Sequence, residues 1–164
     1  DAAYAAEDDK IFGITSTSPQ FMYAFQANRI IKQNNEKAFT IIGGPHASAI
    51  STLRNRGIID HNTKSLEEFD MIVNGDGEDL EFRNSKWITT KMIEIGKYQI
   101  DRSFIDIKSY KYQIDGRKAT TIMTQRGCPF TCEFCSGRDI DIYRVVRQRE
   151  IRDVIDEMDF LKKE

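Results

Sequence analysis

The sequence predicts an α/β fold: an open parallel sheet with intervening helices, followed by the first strand and helix of a second unit. Three observations predict it. Short apolar runs alternate with amphipathic segments through the first half, each run ends in glycine or hydroxyl residues, and a strand–loop–helix order recurs around three clustered cysteines in the second half.

Residues 10–14 (KIFGI) are a short apolar run bounded by turn residues and read as a buried strand. Ser16-Thr17-Ser18-Pro19 follows, with hydroxyls suited to capping a helix and a proline whose φ suits the first helical position. Phe21, Ala24, Phe25 and Ile31 then fall on one broad face of a helix reaching about Asn34. Residues 38–42 (AFTII) read as a second strand, closed by Gly43-Gly44-Pro45-His46. Residues 47–55 are a short helix candidate, residues 71–73 (MIV) a third strand, and residues 74–78 (NGDGE) a loop. Strand, helix, strand, helix, strand implies parallel pairing through right-handed crossovers.

Residues 84–117 carry weaker signals and read as a connector, with Asp115-Gly116 as a hairpin turn. Residues 119–124 (ATTIMT) are β-rich and read as a strand. After the cysteines, Ile151, Ile155, Met158 and Leu161 recur at helical spacing with charged residues between them. Arg144, Arg147, Arg149 and Arg152 form a basic stretch followed at once by acidic residues, which reads as a solvated helix face.

Cys128, Cys132 and Cys135 are the only cysteines and lie within eight residues, as Cys-x-x-x-Cys-x-x-Cys inside RGCPFTCEFCSG. Three thiolates can hold three irons of a 4Fe-4S cube and leave the fourth iron open to a substrate. Structural zinc competes with this reading, but it wants four ligands, and the fourth would have to be His46 or His61, both more than sixty residues upstream. A disulfide framework fits worse, because the count is odd and no signal-peptide pattern precedes it.

Composition describes one or two small α/β units: 164 residues, 40% hydrophobic, 30% charged, net charge −2. No apolar run approaches a membrane span, and no broad basic surface offers itself to nucleic acid. Unpaired cysteines point to a reducing, cytoplasmic compartment.

Ligands of parallel sheets bind at the loops beyond the carboxyl ends of the strands, which here are residues 15–18, 43–46 and 75–78. Glycine pairs let backbone approach a flat or phosphate-bearing ligand, and hydroxyls and amides donate to its polar groups. Each loop alone also fits a tight turn, and none is a dinucleotide or Walker pattern.

RGCPFTCEFCSG resembles the signature of the radical S-adenosylmethionine (SAM) superfamily, Cys-x-x-x-Cys-x-aromatic-Cys, with Phe134 at the aromatic position. The resemblance implies that Cys128, Cys132 and Cys135 ligate a 4Fe-4S cluster in the loop after the first strand of a β/α barrel. The open iron would chelate SAM, and Phe134 would pack beside the adenine. It also implies reductive cleavage of SAM to a 5′-deoxyadenosyl radical in a closed site, with an external electron donor of flavodoxin or ferredoxin type.

Together, GITSTSPQF, IIGGPHAS and VNGDGE resemble the cobalamin-binding Rossmann domain that precedes the barrel in cobalamin-dependent radical SAM enzymes. Asp101-Arg102-Ser103 stands where that family often reads Pro-Asp-Arg. The resemblance runs from about residue 10 to the end. It implies a partial Rossmann-like domain over residues 1–83, the connector over 84–117, and the N-terminal part of a radical SAM domain over 118–164. Ser16, Ser18, Gly43, Gly44, His46, Gly75 and Gly77 would line the corrin and nucleotide tail of cobalamin. The Asp-x-His-x-x-Gly loop that gives cobalamin mutases an axial histidine is absent, as is common in this subfamily. His46 reads as a loop hydrogen-bonder rather than a cobalt ligand, and His61 as a surface residue. No cysteine precedes Cys128, which sets the chain apart from tRNA methylthiotransferases with a second cluster.

The family's Gly-Gly-Glu element and its further barrel strands lie beyond this sequence, so the chain is expected to be a fragment of a longer enzyme. The resemblance implies methyl transfer to an unactivated carbon of a small-molecule or peptide substrate, and no side chain here is assigned a catalytic role. Cobalamin-dependent cyclisation or rearrangement is one alternative; a noncatalytic or electron-transferring module is another.

Overall fold

A computed structural model describes residues 10–81, 85–96 and 100–163. The expected domain boundary between residues 83 and 84 lies outside them. Strands β1 (Ile11–Thr15), β2 (Phe39–Gly43), β3 (Met71–Asn74) and β4 (Trp87–Thr89) pair in that order, all parallel. Helix α1 (Phe21–Asn34) fills the first crossover, and α2 (Gly44–Asn55) with α3 (His61–Leu66) fills the second. The architecture is the α/β, partial Rossmann-like sheet that the alternation predicts.

Strand periodicity sorts the core into two layers. Ile42, Ile72 and Trp87 pack with Phe21, Ala24, Ala47, Ile50, Leu66 and Phe69 on the helix-covered face, and Ile41, Met71, Val73 and Ile88 on the other. At the amino ends of the strands, Asp70 accepts from Lys32 Nζ at 2.5 Å and from the Thr40 amide at 2.7 Å, tying α1, β2 and β3 together. Before α1, a 3-10 turn at Ser18–Gln20 carries Pro19, and the Thr17 hydroxyl donates to Gln20 Oε1 at 2.9 Å.

Several expectations change. Residues 10–14 read as a buried strand, but β1 is the edge of the described sheet, and Ile11 is 59% exposed because only β2 flanks it. The loop expected at residues 43–46 is shorter, because α2 begins at Gly44 with Pro45 and His46 already helical. Neither α3, six residues capped by Asp60, whose Oδ1 accepts the Thr63 amide at 3.0 Å, nor three-residue β4 is long enough to show a period.

In the second half, β5 (Gln113–Ile114) and β6 (Arg117–Lys118) form the expected hairpin, with Asp115 (φ 51°) and Gly116 (φ 73°) as its two-residue turn. Residues 119–124 form no strand: only their ends bond to neighbouring backbone, the Ala119 amide to the Tyr112 carbonyl at 3.0 Å and the Thr124 carbonyl to the Arg149 amide at 2.9 Å, and the ladder begins later, with β7 (Gln125–Arg126) antiparallel to β8 (Arg147–Gln148). Helix α4 (Asp141–Arg144) precedes β8, and α5 (Ile151–Lys163) covers the expected helix. Of the arginine stretch, only Arg152 lies on an exposed helix face. Arg147 lies on β8, and Arg149 precedes α5 with its side chain 5% exposed against Glu157 Oε2, an acidic partner supplied by tertiary packing.

Candidate functional site

The carboxyl ends of β1, β2 and β3 open into a cleft of about 570 Å3. Gly13, Thr15, Ile41, Gly43 and Val73 form its floor, Gly44, Gly75 and Gly77 its rim, and Arg126, Gly127, Tyr143 and Arg147 its far wall. The structure therefore gathers four of the seven residues expected to line cobalamin: Gly43, Gly44, Gly75 and Gly77. Their geometry divides them. Gly44 has φ +87°, and a Cβ there would strike Thr15 Oγ1 and sit 3.2 Å from the Ser16 amide nitrogen. Gly75 has φ +116°, and its Cβ would meet Thr90 Oγ1. At Gly77 a Cβ would meet nothing within 4 Å, so this rim is open to a ligand.

The other three expected residues sit beneath the cleft or outside it. Ser16 and His46 are buried, Ser18 is exposed, and none lines the cavity. His46 Nδ1 lies 3.1 Å from Ser18 Oγ, and its backbone amide donates to the Ser16 carbonyl at 3.0 Å. Burial holds the imidazole below its ordinary pKa, a shift that the charge of Asp60 only partly opposes. Ser16 Oγ and His46 Nε2 are buried with no hydrogen-bond partner among the described residues.

Asp76, from the NGDGE loop, joins the cleft rim to the far wall. Its carboxylate is 8% exposed and accepts Arg126 Nη1 at 2.9 Å, Arg147 Nη1, and the Ile93 amide at 3.1 Å. Arg126 also pairs with Glu78, and Arg147 Nη1 donates to the Ile93 carbonyl at 3.0 Å. Burial alone would raise the Asp76 carboxyl, but the bonds from Arg147, Ile93 and Arg126 outweigh it and hold the group below the usual carboxylate range. Burial raises the Tyr143 phenol, and a hydrogen bond with Ser48 works against it.

The thiol loop starts two residues after Arg126. Gly127, at φ +85°, passes so close to the Val145 carbonyl that no side chain fits. The Cys128 amide donates to the Tyr143 carbonyl at 2.8 Å, and the Cys135 amide to the Cys132 carbonyl at 3.1 Å. Arg144 clamps the loop from α4, donating to the carbonyls of Pro129 at 2.6 Å, Cys128 at 3.3 Å, and Phe130. Cys128, Cys132 and Cys135 are free and exposed, and Phe134 turns 93% of its surface outward. Three accessible cysteines outside any disulfide, in one tethered loop, are a donor set that suits an iron–sulfur cluster. Among the described residues, no three or more His, Cys, Asp or Glu side chains converge on one point.

Two curated proteins extend this picture. Over 181 aligned residues the chain is 32% identical to an uncharacterized methyltransferase of Pyrococcus horikoshii, covering 94% of this chain and 37% of that protein. Over 182 residues it is 24% identical to the anaerobic magnesium-protoporphyrin IX monomethyl ester cyclase of Cereibacter sphaeroides, covering 94% of this chain and 28% of the cyclase. The chain is thus similar, along nearly all of its length, to about a third of each of two larger enzymes. No protein-family model and no solved structure matches it.

The similarity spans both the cleft and the thiol loop, and the residues that join them escaped the sequence reading. Asp76 lies in a loop whose glycines carry the sequence argument, Arg147 reads as part of a solvated basic face, and Arg126 draws no expectation of its own. The one local hint was the lone aspartate between two glycines in the 74–78 loop. Beside α5, a second concavity of about 550 Å3 holds the expected Asp101-Arg102-Ser103 segment. There Arg102 Nη2 meets Glu157 at 2.5 Å, with both side chains nearly buried, so this arginine anchors α5. Among the described residues, no helix is long and apolar enough to cross a membrane.

Proposed function

We propose that this chain is part of a cobalamin-dependent radical SAM enzyme that transfers a methyl group to an unactivated carbon. One observation carries the reading: a glycine-rimmed cleft at the carboxyl edge of a parallel sheet and a three-thiol loop are tied together through Arg126. The names of the relatives, a methyltransferase and a cyclase, support methyl transfer first and cyclisation second.

Cys128, Cys132 and Cys135 would hold a 4Fe-4S cluster, which when bound supplies a low-potential electron to SAM, while cobalamin supplies a methyl-carrying cobalt. Phe134 offers its exposed ring to the adenine. Gly77 lets the flat face of a large ligand approach the backbone, and Ile41 and Val73 give that ligand an apolar floor. Arg144 fixes the backbone of the thiol loop, so fewer loop conformations compete when the three sulfurs close on a metal. The chemistry requires an external one-electron donor of flavodoxin or ferredoxin type and a reducing compartment such as the cytoplasm. The substrate would be a small molecule or peptide.

The test is electron paramagnetic resonance of the anaerobically reconstituted, reduced full-length protein, with and without SAM, beside Cys132→Ala. A 4Fe-4S signal that changes on adding SAM and is lost in the variant supports the reading. A cluster indifferent to SAM favours an electron-transfer or noncatalytic module, and no cluster at all overturns it. A cobalamin titration followed by visible absorbance, compared between wild type and Gly77→Val, tests the cleft separately.

A further inference from the structure

We propose that Asp76 is a positioning residue: by latching Arg126 and Arg147 to the cleft rim, it sets the separation between the cleft and the thiol loop. The proposal rests on the two-cofactor reading above and adds to it the device that holds the two sites in register. Asp76 lies just after β3, and the Ile93 amide pins it from a third segment, so the carboxylate is fixed to the sheet rather than to the loop it grips. Both guanidinium groups come from the short β7–β8 ladder, on either side of the thiol loop. Arg126 precedes Cys128 by two residues, and Arg147 stands three residues after the Arg144 clamp. One buried carboxylate therefore holds both ends of the segment that carries the three cysteines.

Alternative roles for the three groups fit less well. The two arginines face a cleft built for a ligand, yet Asp76 and Glu78 already take them up, so they are not a free anion site. A buried carboxylate bonded to two guanidiniums and an amide is a poor proton carrier, since each bond favours its charged form. What remains is geometry. Transfer between two bound groups is sensitive to about 1 Å of misplacement, and a rigid charged contact between the two sites controls that distance.

The experiment uses the full-length protein and the Asp76→Asn variant, which keeps the shape and loses the charge. Amide hydrogen exchange of the metal-free protein should speed about tenfold or more at residues 126–128 and 145–148, with the amides of β2 and β3 unchanged. Arg147→Gln approaches the same contact from the other side and serves if Asp76→Asn loses the sheet. The double variant should exchange no faster than the faster single one, because both remove the Asp76–Arg147 pair. In the reconstituted enzyme, product formed per SAM consumed should fall about 10- to 100-fold while the KM for SAM holds. Unchanged exchange at residues 126–128, additive single variants, or an unchanged product ratio would each overturn the latch. If the wild type consumes no SAM, the two-cofactor reading fails, and the exchange result still decides whether Asp76 joins the two units.

Discussion

The imidazole of His46 stacks on the ring of Phe21, with centroids 4.1 Å apart and planes 24° from parallel. That contact places the histidine in the core between α1 and α2, where its burial depresses its pKa. Below about 6.5 the unfolded chain takes up a proton that the folded chain refuses, so stability must fall as pH drops through that value. The urea midpoint should decline between about pH 7 and 5. His46→Gln, which cannot protonate, should flatten that decline; an equal slope in the variant would show that another group is responsible. The depressed carboxyls of Asp70, Asp76 and Glu157 act lower, their contribution lost only as pH falls below the ordinary carboxylate values.

Glycines of the cleft should separate by function. Gly44→Ala forces a side chain into a left-handed position against Thr15, and a loss of about 1–3 kcal/mol in denaturant unfolding is expected. Gly77→Ala meets open space and should stay within about 0.5 kcal/mol of wild type. If Gly77→Val, equally stable, binds cobalamin as tightly as wild type does, the ligand does not use this rim.

Glu157 anchors α5. Its carboxylate is 9% exposed between Arg102 and Arg149, whose side chains are 14% and 5% exposed. Removing it leaves two nearly buried cations unpaired, so Glu157→Ala should cost about 3–5 kcal/mol in thermal or denaturant unfolding. Glu157→Gln, which keeps an acceptor, should cost less. A loss below 1 kcal/mol for the alanine variant, on the order of a surface pair, would mean that α5 is held by other contacts.

The thiols can be counted. All three are free and exposed, so the metal-free native protein should react with three equivalents of a thiol reagent without denaturant. Anaerobic reconstitution with iron and sulfide should protect all three together. Protection of only two would point to a smaller or different site.

The local order of the chain was written in its sequence. Apolar runs of two different periods marked β1, α1, β2, α2, β3 and α5, and the turn chemistry of Asp115-Gly116 marked the hairpin. The cysteine spacing marked the thiol loop, because three thiols within eight residues must share one short stretch of chain. Short elements such as α3 and β4 stayed hidden, since six and three residues complete too few repeats to show a period. Which strand forms the sheet edge also depends on neighbours rather than on composition, and so β1 looked buried. Above all, the acidic partners of Arg126, Arg147 and Arg102 lie roughly 50 or more residues away, so nothing nearby in sequence reveals them. Periodicity, turns and ligand spacing are local and legible, whereas charge pairing across the chain exists only once the sheet has brought Asp76 to the thiol loop.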